Sequence, residues 1–480
     1  MENNIAFVDS YHERNYIELV KNFMGKLNKD LYIVLKLLSI DEVYSVAKEY
    51  ICGTTIKFKE LLNDTRIINT SRFIVELAYS FYTRNFSVNE LSSTRKLDMD
   101  TRNFIINILN YYEKKEKEVN TGRQRELDLV KGFLMIMIVF IHSFQTIAGA
   151  AAAESSVHKI MFALFMPTGA CLYLFTMGFG SVFTRHSQPK DMVRNGIKLL
   201  IYQGISNLCY AAVMTVSYII RNSITGEVAG SREVFEASRY FMLTFVNIFF
   251  ISGMCYLVLA LYRKFNVKLG GYIISALIVG IVTPFTKLLV SDNQALNWLL
   301  DMTFGGKGET SFCFFPYLSY VFLGYVFAKV IRRVPEDEKG AFYKKSGLVC
   351  GIVAAAWFVI CIVMHPGVDG FFNYMIEQYR TPGLVKVVGT FCSIILVFAV
   401  AFFLMPIIEK WKFVYNKLCY YSRQISKMYA VHIGVYWTIA GFAAFYEFSV
   451  RDCLILSVVV LIVTDLLVQG YLKLTDKLKG

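Results

Sequence analysis

Residues 125–144 read RELDLVKGFLMIMIVFIHSF, and their interpretation decides the fold. The first eight positions carry Arg125, Glu126, Asp128 and Lys131; the next twelve are apolar apart from His142 and Ser143. The apolar run continues to about residue 150, the roughly 20 residues that cross a hydrocarbon layer about 30 Å thick. Comparable runs recur near 160–183, 197–220, 240–262, 269–290, 312–331, 346–364, 383–408, 428–446 and 453–472. Every backbone N–H and C=O must be paired inside hydrocarbon, so each run is expected to be a helix. The expected fold is all-α: a polytopic membrane bundle of about ten transmembrane helices over residues 121–480. Composition agrees, with 55% hydrophobic and 18% charged residues, against about a quarter charged in soluble domains.

Residues 1–120 differ in character and read as a small helical domain. Tyr16–Leu27, Leu31–Leu38, Arg72–Tyr82 and Thr101–Tyr112 show helical apolar spacing between polar turns. The KKEKE run at 114–118 reads as a solvated helix end or linker. Residues 1–30 lack the continuous apolar core of a secretory signal, so this domain is expected to stay in the cytoplasm. His12, among charged neighbours, reads as a surface residue. FVDSYHERNY (7–16) and VELAYSFYTRN (75–85) resemble a small domain family of unknown function, which implies no activity.

The net charge of +13 admits nucleic acid as a partner, but the basic residues cluster in short segments between apolar runs. Alternate connections hold Arg185, Lys190, Arg194 and Lys198, then Arg263, Lys264 and Lys268, then Arg332, Arg333, Lys344 and Lys345, then Lys410, Lys412, Lys417 and Arg423, and the tail adds Lys473, Lys477 and Lys479. The intervening connections are poor in Lys and Arg, except 221–239, where three Arg meet three Glu. This asymmetry satisfies the positive-inside rule and places both termini in the cytoplasm, with no nucleic-acid partner. The ten cysteines lie mostly inside apolar runs without CxxC or Cys/His spacing, so no metal site is expected. They read as small residues in helix–helix contacts.

An ionisable residue inside a membrane helix is a functional hypothesis by default. Lys131 and His142, eleven residues apart, differ by about 20° around a helix and roughly 16 Å along it. Asp128 falls about 40° from His142 on the same side. Each member has a bland reading: Arg125, Asp128 and Lys131 as an interfacial anchor with an i,i+3 ion pair, His142 as a packing histidine. Their shared face argues for an orientation into the bundle. Elsewhere, His432 beside Tyr429 reads as packing or a helix-to-helix hydrogen bond, and Asn207 and Asn247 as interhelical glue. His158 and His365 fall in the cation-poor connections, His186 in a basic loop, and Lys287 at a helix end where it can snorkel. The connection 291–311, with Trp298, Asp301, GGKGE and Glu309, is compatible with a sugar site.

The pattern RxLDxxKGxxxxxxVxxH over 125–142 resembles the opening helix of membrane acyltransferases of the acyltransferase-3 type. In that family a basic residue precedes a histidine by eleven positions, often with an aspartate three before it, and Asp128, Lys131 and His142 match. The departure is Lys131 where the family typically has arginine, which keeps the charge and loses the bidentate fork. FALFMPTGACLYLFTMGFGSVFTR (162–185) resembles the family's second helix, and GIKLLIYQGISN (196–207) is similar to the third helix of the related heparan-type acetyltransferases. FFPYLSYVFLGYVFAK (314–329) and YYSRQISKMYAVHIGVYW (420–437) resemble late helices of both. The resemblance spans about 350 residues and rests on the first motif. It implies transfer of an acyl group, most often acetyl, from cytoplasmic acyl-CoA (acetyl-CoA) to a hydroxyl of an extracytoplasmic glycan or glycolipid, as in cell-surface polysaccharide modification. It implies a bacterial plasma membrane, His142 as base or transient acyl carrier, and Asp128 orienting Lys131 or keeping it paired while no donor is bound. Lys131, with Arg125, would attract the CoA phosphates. The competing class is a proton-coupled transporter, which ten helices and an intramembrane histidine also suit. A third is a membrane sensor with residues 1–120 as its partner-binding unit.

Overall fold

The structure is a computed structural model, described over residues 7–23, 29–83, 97–116, 120–165, 168–184, 188–226, 232–286, 288–305, 313–380, 382–443 and 448–477. The chain divides into two compact units, Met1–Glu118 and Val119–Gly480. In the first lie α1 (Ser10–Lys21), α2 (Lys29–Leu38), α3 (Asp41–Ala47), a two-stranded hairpin of β1 (Ile51–Cys52) and β2 (Thr55–Ile56), α4 (Phe58–Leu62), α5 (Asn69–Thr83) and α6 (Met99–Glu116). Helix α1 ends at Lys21 rather than running to Leu27, and the hairpin has a spacing that a helical reading passes over.

The core of this unit gathers around α2, in which Ile33, Val34, Leu35, Leu37 and Leu38 are all buried, with Ile74 and Ala78 of α5 and Ile105 and Ile108 of α6. A helix apolar on nearly every side belongs at the centre of a fold. Lys36, set among these apolar residues, is buried too, its ammonium 3.6 Å from the Phe7 ring centroid and near Tyr16 and Tyr32. Burial, which penalises the cation, brings the Lys36 pKa down to about 8. His12 is not a surface residue. It is buried beside Phe104, its Nδ1 accepts from Val8 N (3.0 Å), and its Nε2 lies 2.8 Å from Lys36 O. The amide at Nδ1 can only donate and the carbonyl at Nε2 can only accept, so the ring is the neutral Nε2–H tautomer. Burial lowers its pKa below the ordinary histidine value.

The second unit holds α7 (Arg125–Ile147), α8 (Ala150–Ala153), α9 (Ser156–Phe165), α10 (Gly169–Phe183), α11 (Pro189–Thr225), α12 (Arg232–Thr244), α13 (Ile248–Lys264), α14 (Leu269–Thr286), α15 (Gln294–Phe304), α16 (Phe314–Ile331), α17 (Lys339–Met364), α18 (Gly367–Arg380), α19 (Leu384–Ile408), α20 (Lys412–Ala443) and α21 (Val450–Lys477). It is an all-α polytopic membrane bundle. Among the described residues each of the ten expected runs contains helix, the one at 240–262 in two pieces, but only eight spans are long and apolar enough to cross a membrane. The exceptions are α10, only 15 residues long, and α20, whose 32 residues include Lys412, Lys417, Arg423, Lys427 and His432. Several basic segments expected as loops are helix: Lys190, Arg194 and Lys198 stand on α11, Lys344 and Lys345 on α17. Regular hydrogen bonding carries these helices past their apolar stretches.

Helices α7 and α20 meet closely because Gly132 has no side chain. A Cβ there would lie 2.3 Å from the Leu418 carbonyl oxygen. Helices α10 and α16 cross reciprocally at Gly178 and Gly324, each facing the other helix's backbone. Small residues at such crossings supply the close packing that holds membrane helices together. Large apolar side chains such as Ile274, Ile278 and Phe285 on α14 and Ile352, Val359 and Val363 on α17 point outward, as a lipid-facing surface requires.

Candidate functional site

The site is built where α7, α10, α11, α13 and α20 converge. The shared face inferred for Lys131 and His142 is real, since both turn towards α20. Lys131 lines a cavity of about 400 Å³ with Lys198 and Asn195 of α11, Tyr173 of α10, Tyr256 of α13 and Ser426 of α20. Among the described residues no carboxylate lines it, so two ammonium groups set its charge.

Asp128 does not pair with Lys131. Its Oδ2 accepts from Arg123 Nε at 2.5 Å and its Oδ1 from Ser422 Oγ at 2.8 Å, which ties the start of α7 to α20. With that carboxylate engaged elsewhere, no ion pair joins Lys131 among the described residues. Arg125 is also apart from the cavity: exposed, it pairs with Glu409 at 3.1 Å. Two residues to which the sequence assigned no role, Glu126 and Lys339, matter at this end of α7. Glu126, almost fully buried, accepts from Tyr343 Oη at 2.9 Å and pairs with Lys339 at 3.4 Å; Lys339 also donates to Gln124 Oε1 at 2.7 Å. Removing one partner of such a buried pair typically costs about 3–5 kcal/mol.

Further along α7, His142 meets His432 of α20, with Nδ1 and Nε2 2.7 Å apart. The ring planes differ by 5° and the centroids lie 5.0 Å apart. That separation is the N···N distance plus the two ring radii, so the imidazoles lie edge to edge in one plane, the geometry of an in-plane hydrogen bond. His432 is completely buried and His142 only partly. Tyr429 packs edge-on against both rings, and Tyr436, edge-on to His432, donates to Val139 O at 2.8 Å. The helix-to-helix hydrogen bond read for His432 is present; that its partner would be His142 was not legible, because nothing in a sequence aligns positions 290 residues apart.

Beside the pair, the span containing α12 and α13 is broken at 245–247. The freed groups are satisfied from α11: Gln203 Nε2 donates to Phe245 O (2.6 Å), and Asn207 Nδ2 donates to Phe245 O (2.8 Å) and Leu243 O (3.1 Å). Asn247 caps α13 by accepting from Phe249 N at 2.8 Å. Asn247 Nδ2 also donates to Ser206 Oγ of α11 at 3.3 Å, so Asn207 and Asn247 are interhelical links, as expected, and they make a break inside an apolar region tolerable. An apolar cavity of about 390 Å³, bounded by Phe249, Tyr210, Cys209, Ala430 and Val431, shares Tyr202 and Ser426 with the cationic one.

The remaining candidates stand away from this centre. His158 is not in an open loop: it is buried on α9, stacked on Phe144, with Nδ1 2.6 Å from Ala153 O. His365 stacks on Tyr374 at the end of α17. Trp298 is exposed on α15 and Asp301 buried. His186, Lys287 and most of GGKGE with Glu309 lie outside the described residues.

Fold and site together define a multi-pass membrane protein in which one helix, α7, contributes Lys131 to a cationic cavity and His142 to a histidine pair with α20. Residues 123–356 match the family model described as heparan-alpha-glucosaminide N-acetyltransferase, catalytic, over just under half of the chain. The match runs from the residues preceding α7 into α17 and takes in Lys131 and His142; it supports a membrane enzyme of the acetyltransferase type. No curated protein and no solved structure matched the chain.

Proposed function

We propose that this chain is a membrane acyltransferase that moves an acetyl group from cytoplasmic acetyl-CoA to a nucleophile, a hydroxyl or amine, on an extracytoplasmic glycan or glycolipid. The observation that carries the reading is one helix, α7, presenting an ammonium to a cavity free of carboxylates among the described residues and, about 16 Å along, an imidazole to the bundle interior. Lys131 and Lys198 would hold the CoA phosphates as point charges, with the extended pantetheine arm pointing up α7. His142 takes the proton of the acceptor as that atom attacks the thioester carbonyl carbon. The new C–O or C–N bond forms, the C–S bond breaks, and the proton passes to the CoA thiolate. A positioned imidazole contributes typically 10²–10⁴-fold in such a step. Asp128, held by Arg123 and Ser422, fixes α7 against α20 in this reading, and Arg125 serves at most at the entrance. The positive-inside distribution favours cytoplasmic termini.

The test is transfer of radiolabelled acetyl-CoA by purified protein in liposomes, with amino-sugar and neutral-sugar acceptors in separate arms. Label should move with wild type and fall at least a hundredfold with His142→Ala, the protein remaining inserted. Undiminished transfer by that variant removes His142 from the mechanism; absence of both turnover and CoA binding in wild type removes the enzyme reading. The second reading, proton-coupled transport, is favoured by the broken α12–α13 span beside the cavities. Solute uptake without consumption of acetyl-CoA would select it.

A further inference from the structure

His432 Nδ1 lies 3.0 Å from the carbonyl oxygen of Met428, one turn earlier on α20. A carbonyl oxygen only accepts, so this nitrogen carries a proton. In the neutral ring the other nitrogen, Nε2, is then bare. It faces His142 Nδ1 at 2.7 Å in a common ring plane, and a hydrogen bond there requires the proton to sit on His142. A neutral His142 protonated at Nδ1 has a bare Nε2. The chain of donors is therefore directional: His142 Nδ1–H donates to His432 Nε2, and His432 Nδ1–H donates to Met428 O.

We infer that His432 is a positioning residue that fixes His142 in the Nδ1–H tautomer, with Nε2 as the proton-accepting atom. Its catalytic consequence rests on the acyl-transfer reading above; the tautomer does not. The surroundings suit the role. His432 is fully buried, so water does not compete for its Nε2, and the edge-on rings of Tyr429 and Tyr436 hold its plane. His142 keeps part of its surface open. When Nε2 of His142 takes the acceptor's proton, its Nδ1 proton can pass along the 2.7 Å line to His432 Nε2. The positive charge is then shared by two rings with no proton lost or gained. A neighbour of this kind orients a reactive histidine much as carboxylates and carbonyls orient metal-bound ones.

The experiment is ¹⁵N NMR of the full-length protein, histidine-labelled and reconstituted in lipid, with His142 assigned by comparison with His142→Gln. We expect His142 to show a protonated Nδ1 and a bare Nε2, and His432→Phe to abolish that tautomeric bias. An Nε2–H tautomer in wild type, or an unchanged His142 in His432→Phe, overturns the inference. Turnover is read in parallel. His432→Phe should lower kcat by roughly a hundredfold while leaving KM for acetyl-CoA within twofold. His432→Gln, whose amide oxygen can still accept from His142 Nδ1, should recover at least tenfold of that loss. Equal losses in the two variants assign His432 a packing role and overturn the positioning role. A wild type with the expected tautomer but no transfer fails the acyl-transfer reading alone, and NMR still decides the tautomer.

Discussion

Lys131 and Asp128 are one helical turn apart and have different fates, because Arg123 and Ser422 claim the carboxylate while no described carboxylate claims the ammonium. The attraction of a cavity for an anion depends on how many of its cations are already neutralised, so the separation favours phosphate binding. Lys131→Ala should raise KM for acetyl-CoA roughly tenfold to a hundredfold, the value of one charge-assisted hydrogen bond, with kcat little changed. The same substitution at Arg125, exposed and paired with Glu409, should shift KM less than twofold. Steady-state kinetics at two salt concentrations checks both, since the Lys131 contribution should weaken as salt screens it. Equal effects at the two positions would locate the donor elsewhere.

At the scale of helices, α10 and α16 are locked by reciprocal backbone approach. A Cβ at Gly178 would come 2.1 Å from Val321 O, so any larger residue must push the helices apart. Gly178→Leu is expected to lower the unfolding midpoint in detergent, at a cost of about 1–3 kcal/mol or more for overpacking. Gly180, two positions on, is different: a Cβ there would meet no neighbouring atom within 4 Å. Gly180→Ala should be neutral or slightly stabilising, because alanine favours the helix by about 0.5–1 kcal/mol. The contrast tests the crossing itself: if both substitutions behave alike, the close approach is not what holds the pair. The same crossing keeps Tyr173, on α10, in the wall of the cationic cavity, so thermal stability and donor affinity should fall together in Gly178→Leu.

At the scale of the whole molecule, the two units answer to different physics. The first has an aqueous-type core with two buried basic groups, Lys36 and His12, whose ring donates to the Lys36 backbone carbonyl. Both have lowered pKa values from burial, so below its ordinary pKa each binds more protons unfolded than folded. Stability therefore falls as pH drops below about 10.5 towards 8 for Lys36, and again below about 6.5 for His12. Amide exchange in the full chain should show Ser10–Lys21 losing protection between about pH 7 and 5, after correction for intrinsic rates. His12→Gln, which can still donate to Lys36 O, should flatten that acidic limb; an unchanged limb would mean that another group titrates. The second unit has no comparable reservoir of water-driven stability between its helices and relies on close packing and interhelical hydrogen bonds.

What the sequence by itself determined is the all-α membrane architecture, because about twenty apolar residues in hydrocarbon admit little besides a helix. It also determined that Lys131 and His142 share a face, because the helical period of about 3.6 residues is local. Residues 72–82 and 101–112 were readable as helices for the same reason. Partnership was decided only in three dimensions. The meeting of His142 with His432, the capture of Asp128 by Arg123 and Ser422, the buried Glu126–Lys339 pair and the burial of His12 each depend on which helices lie side by side. Side-chain chemistry is written along the chain, but the distance between two side chains on different helices is set by packing, and hydrogen bonds and ion pairs are made or lost within about an ångström.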